Sequence, residues 1–162
     1  MIVNPTPIQQ FYVLPYDRWE GFEAERRHVL RFLRDKVDNT IFLTEDWHAT
    51  LVNDARLKTL EEGGPKNTGL LEVVASPVAT ANVNIEFERE TGVPNLGTLA
   101  DQLFFEPPPP AGVGMQCSVV DEFAYGHVTV TKDQLTVEPR DIDGQPLLDA
   151  GIPCGPFTID KE

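Results

Sequence analysis

Basic residues are scarce in this chain: 13 lysines and arginines stand against 26 aspartates and glutamates in 162 residues, a formal charge of -13. That balance argues against a sequence-independent grip on nucleic acid or anionic membrane, and it favours cation binding. No apolar run approaches the roughly 20 residues that a membrane-crossing helix needs. The opening Met1-Ile2-Val3-Asn4-Pro5 lacks the basic-then-apolar order of a secretory leader, and the compartment is left open. There are two cysteines, Cys117 and Cys154, without Cys-x-x-Cys spacing. Either they pair in an oxidising compartment or they are two ordinary thiols in a reducing one. A Gly-x-Ser-x-Gly elbow, a phosphate-cradling P-loop and a Ser-His-Asp signature are all missing. Nothing repeats and no shift in composition divides the chain, so residues 1–162 are expected to form a single domain with a core of its own.

What is present gathers around Thr40 to Asp54. The β-forming run Ile41-Phe42-Leu43 leads at once to Asp46 and His48, which predicts a buried strand carrying two candidate metal ligands into the loop at its end. Residues i and i+2 point to one side if the backbone is extended, so such a loop can aim both into one crevice. The Asp oxygen suits hard cations and the His nitrogen suits iron or zinc. An Asp and a His at this spacing also occur commonly as a plain surface pair.

Around that loop the periodicity predicts a helix from Phe22 to Val37, with Phe22, Val29, Leu30, Phe32, Leu33 and Val37 inward. Glu23 and Glu25 in its first turn and Arg34 and Lys36 in its last match the macrodipole, and Asn39 stops it. Phe11–Leu14 is a short extended candidate, Thr50-Leu51-Val52 another, and residues 55–69 a surface loop broken at Gly63-Gly64-Pro65. Leu70–Ala75 has the length of a second core strand, ended by Ser76-Pro77. Residues 79–91 fit helix or strand, helix by a small margin, and Leu96–Phe105 is helical. The four prolines from Pro107 favour an extended polyproline segment acting as a stiff loop. Strands follow at Met115–Val120, His127–Thr131 and Gln134–Val137, the last two as a hairpin, then a turn at Asp141–Gly144 and an edge segment from Gly155 to Ile159. Trp19 and Trp47 are packing residues or pocket walls, and Arg26 is a salt-bridge residue or a phosphate contact.

The run Asp17-x-Trp19-Glu20-Gly21-Phe22-x-Ala24-Glu25-Arg26, followed by Leu43-Thr44-Glu45-Asp46-Trp47-His48-Ala49 and Asn53-Asp54, resembles the carboxy-terminal half of PhoD-like alkaline phosphatases. That family carries Asp-x-Trp-Asp-Gly-Tyr-x-x-Glu-Arg and then Leu-Thr-Gly-Asp-Val-His-Ala. Leu71–Ser76 is similar to the family's strand ending in serine, and Asp121 with Tyr125–Val130 to its Gly-Tyr strand, so the resemblance covers residues 1 to 140. It implies an α/β fold, part of a calcineurin-like αββα sandwich with one mixed sheet and flanking helices. It implies a two-metal centre of iron and calcium, with Asp46 ligating one ion and His48 the other, and hydrolysis of phosphate mono- and diesters by a metal-activated water. Members are typically exported.

Two departures matter. Glu45 stands where the family has glycine, which bears on the tight loop if that position needs positive φ. The family's remaining ligands, an early cysteine, an aspartate, a tyrosine and an asparagine, lie in an amino-terminal half that is not in this sequence. The expectation is weak metal binding and little phosphatase activity from these residues alone, with one apolar sheet face exposed and hence self-association or pairing with the missing half. The alternative is a non-catalytic acidic remnant acting as a binding or interaction module.

Overall fold

Two sheets carry the fold in the computed structural model, which describes residues 1–11, 19–60, 67–75 and 77–161. The larger is five-stranded and mixed, built from β1 (Ile2–Asn4), β2 (Ile41–Thr44), β3 (Thr50–Arg56), β4 (Asn67–Val74) and β5 (Cys117–Val119) in the order β1-β2-β4-β3-β5. β1, β2 and β4 run parallel, and β3 pairs antiparallel with β4 and β5. The second sheet is antiparallel: β6 (Ala124–Val130), β7 (Gln134–Asp141) and, after the small hairpin β8 (Leu148–Asp149)/β9 (Ile152–Pro153), the edge strand β10 (Phe157–Asp160), in the order β10-β7-β6. Among the described residues no helix is long and apolar enough to cross a membrane.

The larger sheet is covered on both faces, which corrects the expectation of an exposed apolar face. Alternate residues of its central strands, Ile41, Val52 and Val73, pack with Val128, Leu135, Val137, Phe157 and Ile159 of the second sheet. On the opposite face, Phe42, Ala55 and Leu70 meet Leu30 and Leu33 of helix α1 (Glu23–Lys36). Farther along that face, Leu51 and Val74 join Phe11, Trp47, Val83 and Phe105. The second sheet formed because the hairpin around Asp133 extends farther than its alternation implied, to Asp141, and because β10 adds to its free edge.

α1 matches the expected span, but its inward stripe is Arg26, Leu30 and Leu33, while Phe22 and Phe32 are exposed. Arg26 is fully buried and donates to the carbonyls of Ile8 (3.0 Å), Arg56 (2.9 Å) and Leu57 (2.8 Å) as well as to Glu23. Backbone acceptors that strands leave unpaired must be satisfied, and a guanidinium with five N–H groups can serve several at once. Arg26 is therefore a structural residue.

Residues 55–60 are not the expected surface loop: Ala55 and Arg56 continue β3, and Leu57 and Thr59 are buried. The candidates at residues 12–14, 63–65 and Ser76, and Asp17 of the motif, lie outside the described residues. Residues 79–91 resolve as helix α2 (Val83–Thr91), because Asn82 caps it with Oδ1 accepting from the Ile85 N–H at 2.9 Å. α3 (Leu96–Ala100) runs into a π-helical turn at Asp101–Phe105. The prolines do not continue as an extended segment; the N–H groups of Ala111 and Gly112 close a turn on the Pro108 carbonyl. Gly112 is required there, since a Cβ would stand 2.3 Å from the Phe104 carbonyl oxygen.

Candidate metal-ligand loop

β2 and β3 are consecutive in sequence but not adjacent in the sheet, because β4 lies between them. The connection, residues 45–49, must therefore cross the carboxyl end of β4, and the Ala75 N–H donates to the Thr44 carbonyl at 3.3 Å beneath it. This is the carboxyl end of three parallel strands, the edge at which open α/β sheets bind their ligands.

Trp47 holds the loop down. It is buried and packs edge-on against Phe11 (centroids 4.8 Å apart, 71° between planes) and Phe105 (5.7 Å, 83°). The packing reading of this tryptophan is the one the structure supports. With Trp47 pointing in, its neighbours turn out: Asp46 is exposed and His48 half-buried. Their backbones are not extended, as the i, i+2 reading had required. Both are left-handed, with φ of 74° at Asp46 and 53° at His48. Such conformations cost about 1–3 kcal/mol for residues other than glycine and persist where the surroundings impose them. Glu45 does not carry a positive φ, so replacing glycine there leaves the turn without that strain.

The surroundings that impose the turn are visible. The His48 carbonyl accepts from the Val83 N–H at 2.8 Å, tying the loop to the first turn of α2. His48 Nδ1–H donates to the Ala81 carbonyl at 2.8 Å, and Glu86 Oε1 lies 2.9 Å from the same nitrogen. Both neighbours are acceptors, so Nδ1 carries a proton and donates it to them. An imidazole whose Nδ1–H is held by a carbonyl or carboxylate is the arrangement in which Nε2 ligates a metal. By donor type Asp46 and His48 suit a cation, and Glu86 is the partner that orients His48, but the group of donor side chains that the structure brings within 4.8 Å of one another lies elsewhere. Glu86 was not legible beforehand because residues 79–91 had no settled conformation, and the clue was Asn82 as a helix cap.

Other motif residues lie elsewhere. Asn53 is fully buried in β3 directly opposite Glu72 of β4, and Asp54 Oδ1 accepts from the N–H groups of Thr68 (3.0 Å) and Gly69 (3.3 Å). His28 and His127 are exposed, away from the loop. Among the described residues, neither Asp46 nor His48 lines four of the surface concavities, of 180 to 580 Å³, although Thr44 and Glu45 border the one of 230 Å³.

A second acidic locus was missed. Asp101, buried at the start of the π-helical turn, accepts from the Ser118 hydroxyl, and its pKa is pushed up to about 7 by burial, with the charges of Glu106, Asp149 and Asp121 adding to the shift. A carboxyl raised in the folded state contributes stability that is complete below its ordinary value of 3.8 and lost as pH rises through about 7. The thermal midpoint of Asp101→Asn is accordingly expected to change less between pH 4 and 7 than that of the unaltered chain. Parallel curves would show that Asp101 does not titrate in that window.

A family model described as PhoD-like phosphatase matches residues 1–138. A solved structure described as "Structure of PhoD" shares the fold, with a TM-score of 0.54 at 18% identity over 86% of this chain and 25% of that one. The chain thus spans a quarter of the length of that structure. No curated protein matches it.

Proposed function

We propose a function from one premise: the chain belongs to the PhoD-like phosphatase family. It is the carboxy-terminal part of a metal-dependent phosphoesterase of the calcineurin-like superfamily, folded over residues 1–162 as a single domain, and it contributes Asp46 and His48 to the metal centre. The observation that carries this reading is the His48 ring, whose Nδ1–H is committed to Ala81 and Glu86, in the loop that also carries the exposed Asp46. In the family's chemistry, bound iron and calcium polarise a phosphoryl oxygen and acidify a water. This chain's residues would hold those ions: Asp46 by an oxygen, His48 by Nε2, with Glu86 keeping the imidazole in the ligating tautomer.

Two ligands make a weak site. Loaded with iron and calcium, the purified chain is expected to hydrolyse p-nitrophenyl phosphate mono- and diesters no faster than the metal blank. Two tightly held ions with turnover lost in Asp46→Ala would show that these residues suffice. Turnover that survives in Asp46→Ala would remove the site assignment itself.

A second reading, a non-catalytic acidic binding module, draws support from the closed core. Both faces of the larger sheet are covered by this chain's own residues, so folding does not wait on another half. The same observation weakens the ground for self-association, and a monomer in solution is compatible with either reading. A phosphate ester is the substrate class in the complete enzyme.

A further inference from the structure

Away from the loop, three donor groups converge where the chain beyond the family-matched residues 1–138 folds back on the larger sheet. Cys117 begins β5, Asp149 lies in β8, and Cys154 follows β9. The two Sγ atoms and a carboxylate oxygen of Asp149 all lie within 4.8 Å of one another. The sulfurs are joined as a disulfide that closes a sequence separation of 37 with the Cα atoms 5.6 Å apart. Both cysteines are buried and Asp149 is half-buried, so the locus touches solvent through the carboxylate. The Ser118 N–H donates to Asp149 Oδ2 at 2.8 Å and fixes that side chain next to the sulfurs.

We propose that Cys117, Cys154 and Asp149 form a two-state clip: as a disulfide it is a covalent staple, and as a dithiol it binds a thiophilic divalent cation of the zinc class. Two sulfurs and a carboxylate oxygen are a donor set that tetrahedral zinc accepts. Zinc–sulfur bonds of about 2.3 Å place two ligating sulfurs about 3.8 Å apart, which the observed Cα spacing permits by side-chain rotation.

Interconversion balances without further reagents than a disulfide. The two thiolates lose two electrons as their S–S bond forms. An incoming small-molecule or protein disulfide gains them and leaves as two thiols after taking up two protons. The cation departs with its charge unchanged. In either state residues 147–154 stay attached to β5, so β10 keeps its place beside β7.

Cobalt(II) is the probe. The full chain, reduced with a phosphine and titrated with Co²⁺, is expected to bind one equivalent with thiolate-to-cobalt absorption in the near ultraviolet, displaced by Zn²⁺. The oxidised chain and Cys154→Ser should lack that absorption, and Asp149→Asn should keep it while binding at least about tenfold more weakly. Asp46→Ala should leave it unchanged, which separates this site from the proposed phosphoesterase centre. Circular dichroism accompanies each titration. Absence of the charge-transfer band in the reduced chain would overturn the proposal, as would equal affinity in Asp149→Asn or a reduced chain that loses its fold and does not recover it with zinc.

Discussion

Trp47→Ala is expected to lose about 3–5 kcal/mol of unfolding free energy, most of the stability of a marginal domain. The indole fills the space between Phe11 and Phe105 under the loop, and its removal leaves a cavity lined by Leu51, Val74 and Val83 that a β-sheet cannot collapse to fill. Urea denaturation measures the loss. Trp47→Phe should lose much less, because the edge-on contacts with both phenylalanines survive in part. The functional consequence is separate: without the inward anchor, the left-handed backbones of Asp46 and His48 lose the contact that turns them outward. A Trp47→Ala chain as stable as the parent would mean that the loop is held by its hydrogen bonds to α2 alone.

The second large effect is expected at Glu72. This residue is fully buried in β4, with Oε1 accepting from the Ile8 N–H (2.7 Å) and the Thr44 hydroxyl (3.0 Å) and Oε2 from the Gln9 N–H (3.0 Å). Burial raises its pKa, and these bonds, together with Asn53 opposite, oppose the shift. Glu72→Ala strands three buried donors, each costing about 1–3 kcal/mol, so a loss on the order of 3–5 kcal/mol is expected. Because Ile8 and Gln9 are pinned by Glu72 and Ile8 also by Arg26, the loss should appear first as rapid amide exchange at Ile8 and Gln9. Glu72→Gln tests the cause, since its amide keeps the volume but offers one oxygen where two accept. If Glu72→Gln and the parent unfold at the same urea concentration, the hydrogen bonds do not carry the stability assigned to them.

Much of this was legible from the chain because local signals agreed with tertiary demands. The α1 span, the Ile41-Phe42-Leu43 strand, the turn at Asp141 and the hairpin around Asp133 each followed from spacing and turn chemistry. Two kinds of feature were not. Arg26 and Glu72 are charged residues placed in the core to satisfy backbone groups of segments distant in sequence, a requirement that no local window displays. A lone acid within the apolar run Leu70–Ala75 was the available clue. The loop was found but its conformation was not: burial of Trp47 decided which neighbours face out, and it did so through left-handed rather than extended backbone. Likewise the cysteines offered two open fates in the sequence, and the disulfide follows from the return of β8 and β9 onto β5.

The most direct test of the account is manganese(II) titrated at substoichiometric levels into the ¹⁵N-labelled chain, with amide line broadening as the readout. Mn²⁺ is a hard divalent probe with access to any carboxylate, so the comparison with Asp46→Ala is what decides. The account predicts broadening centred on Asp46, Trp47 and His48 and extending to residues 81–86, where Ala81 and Glu86 hold the imidazole, and it predicts that this focus vanishes in Asp46→Ala. Broadening that spares the loop, or that persists there unchanged in Asp46→Ala, would contradict it.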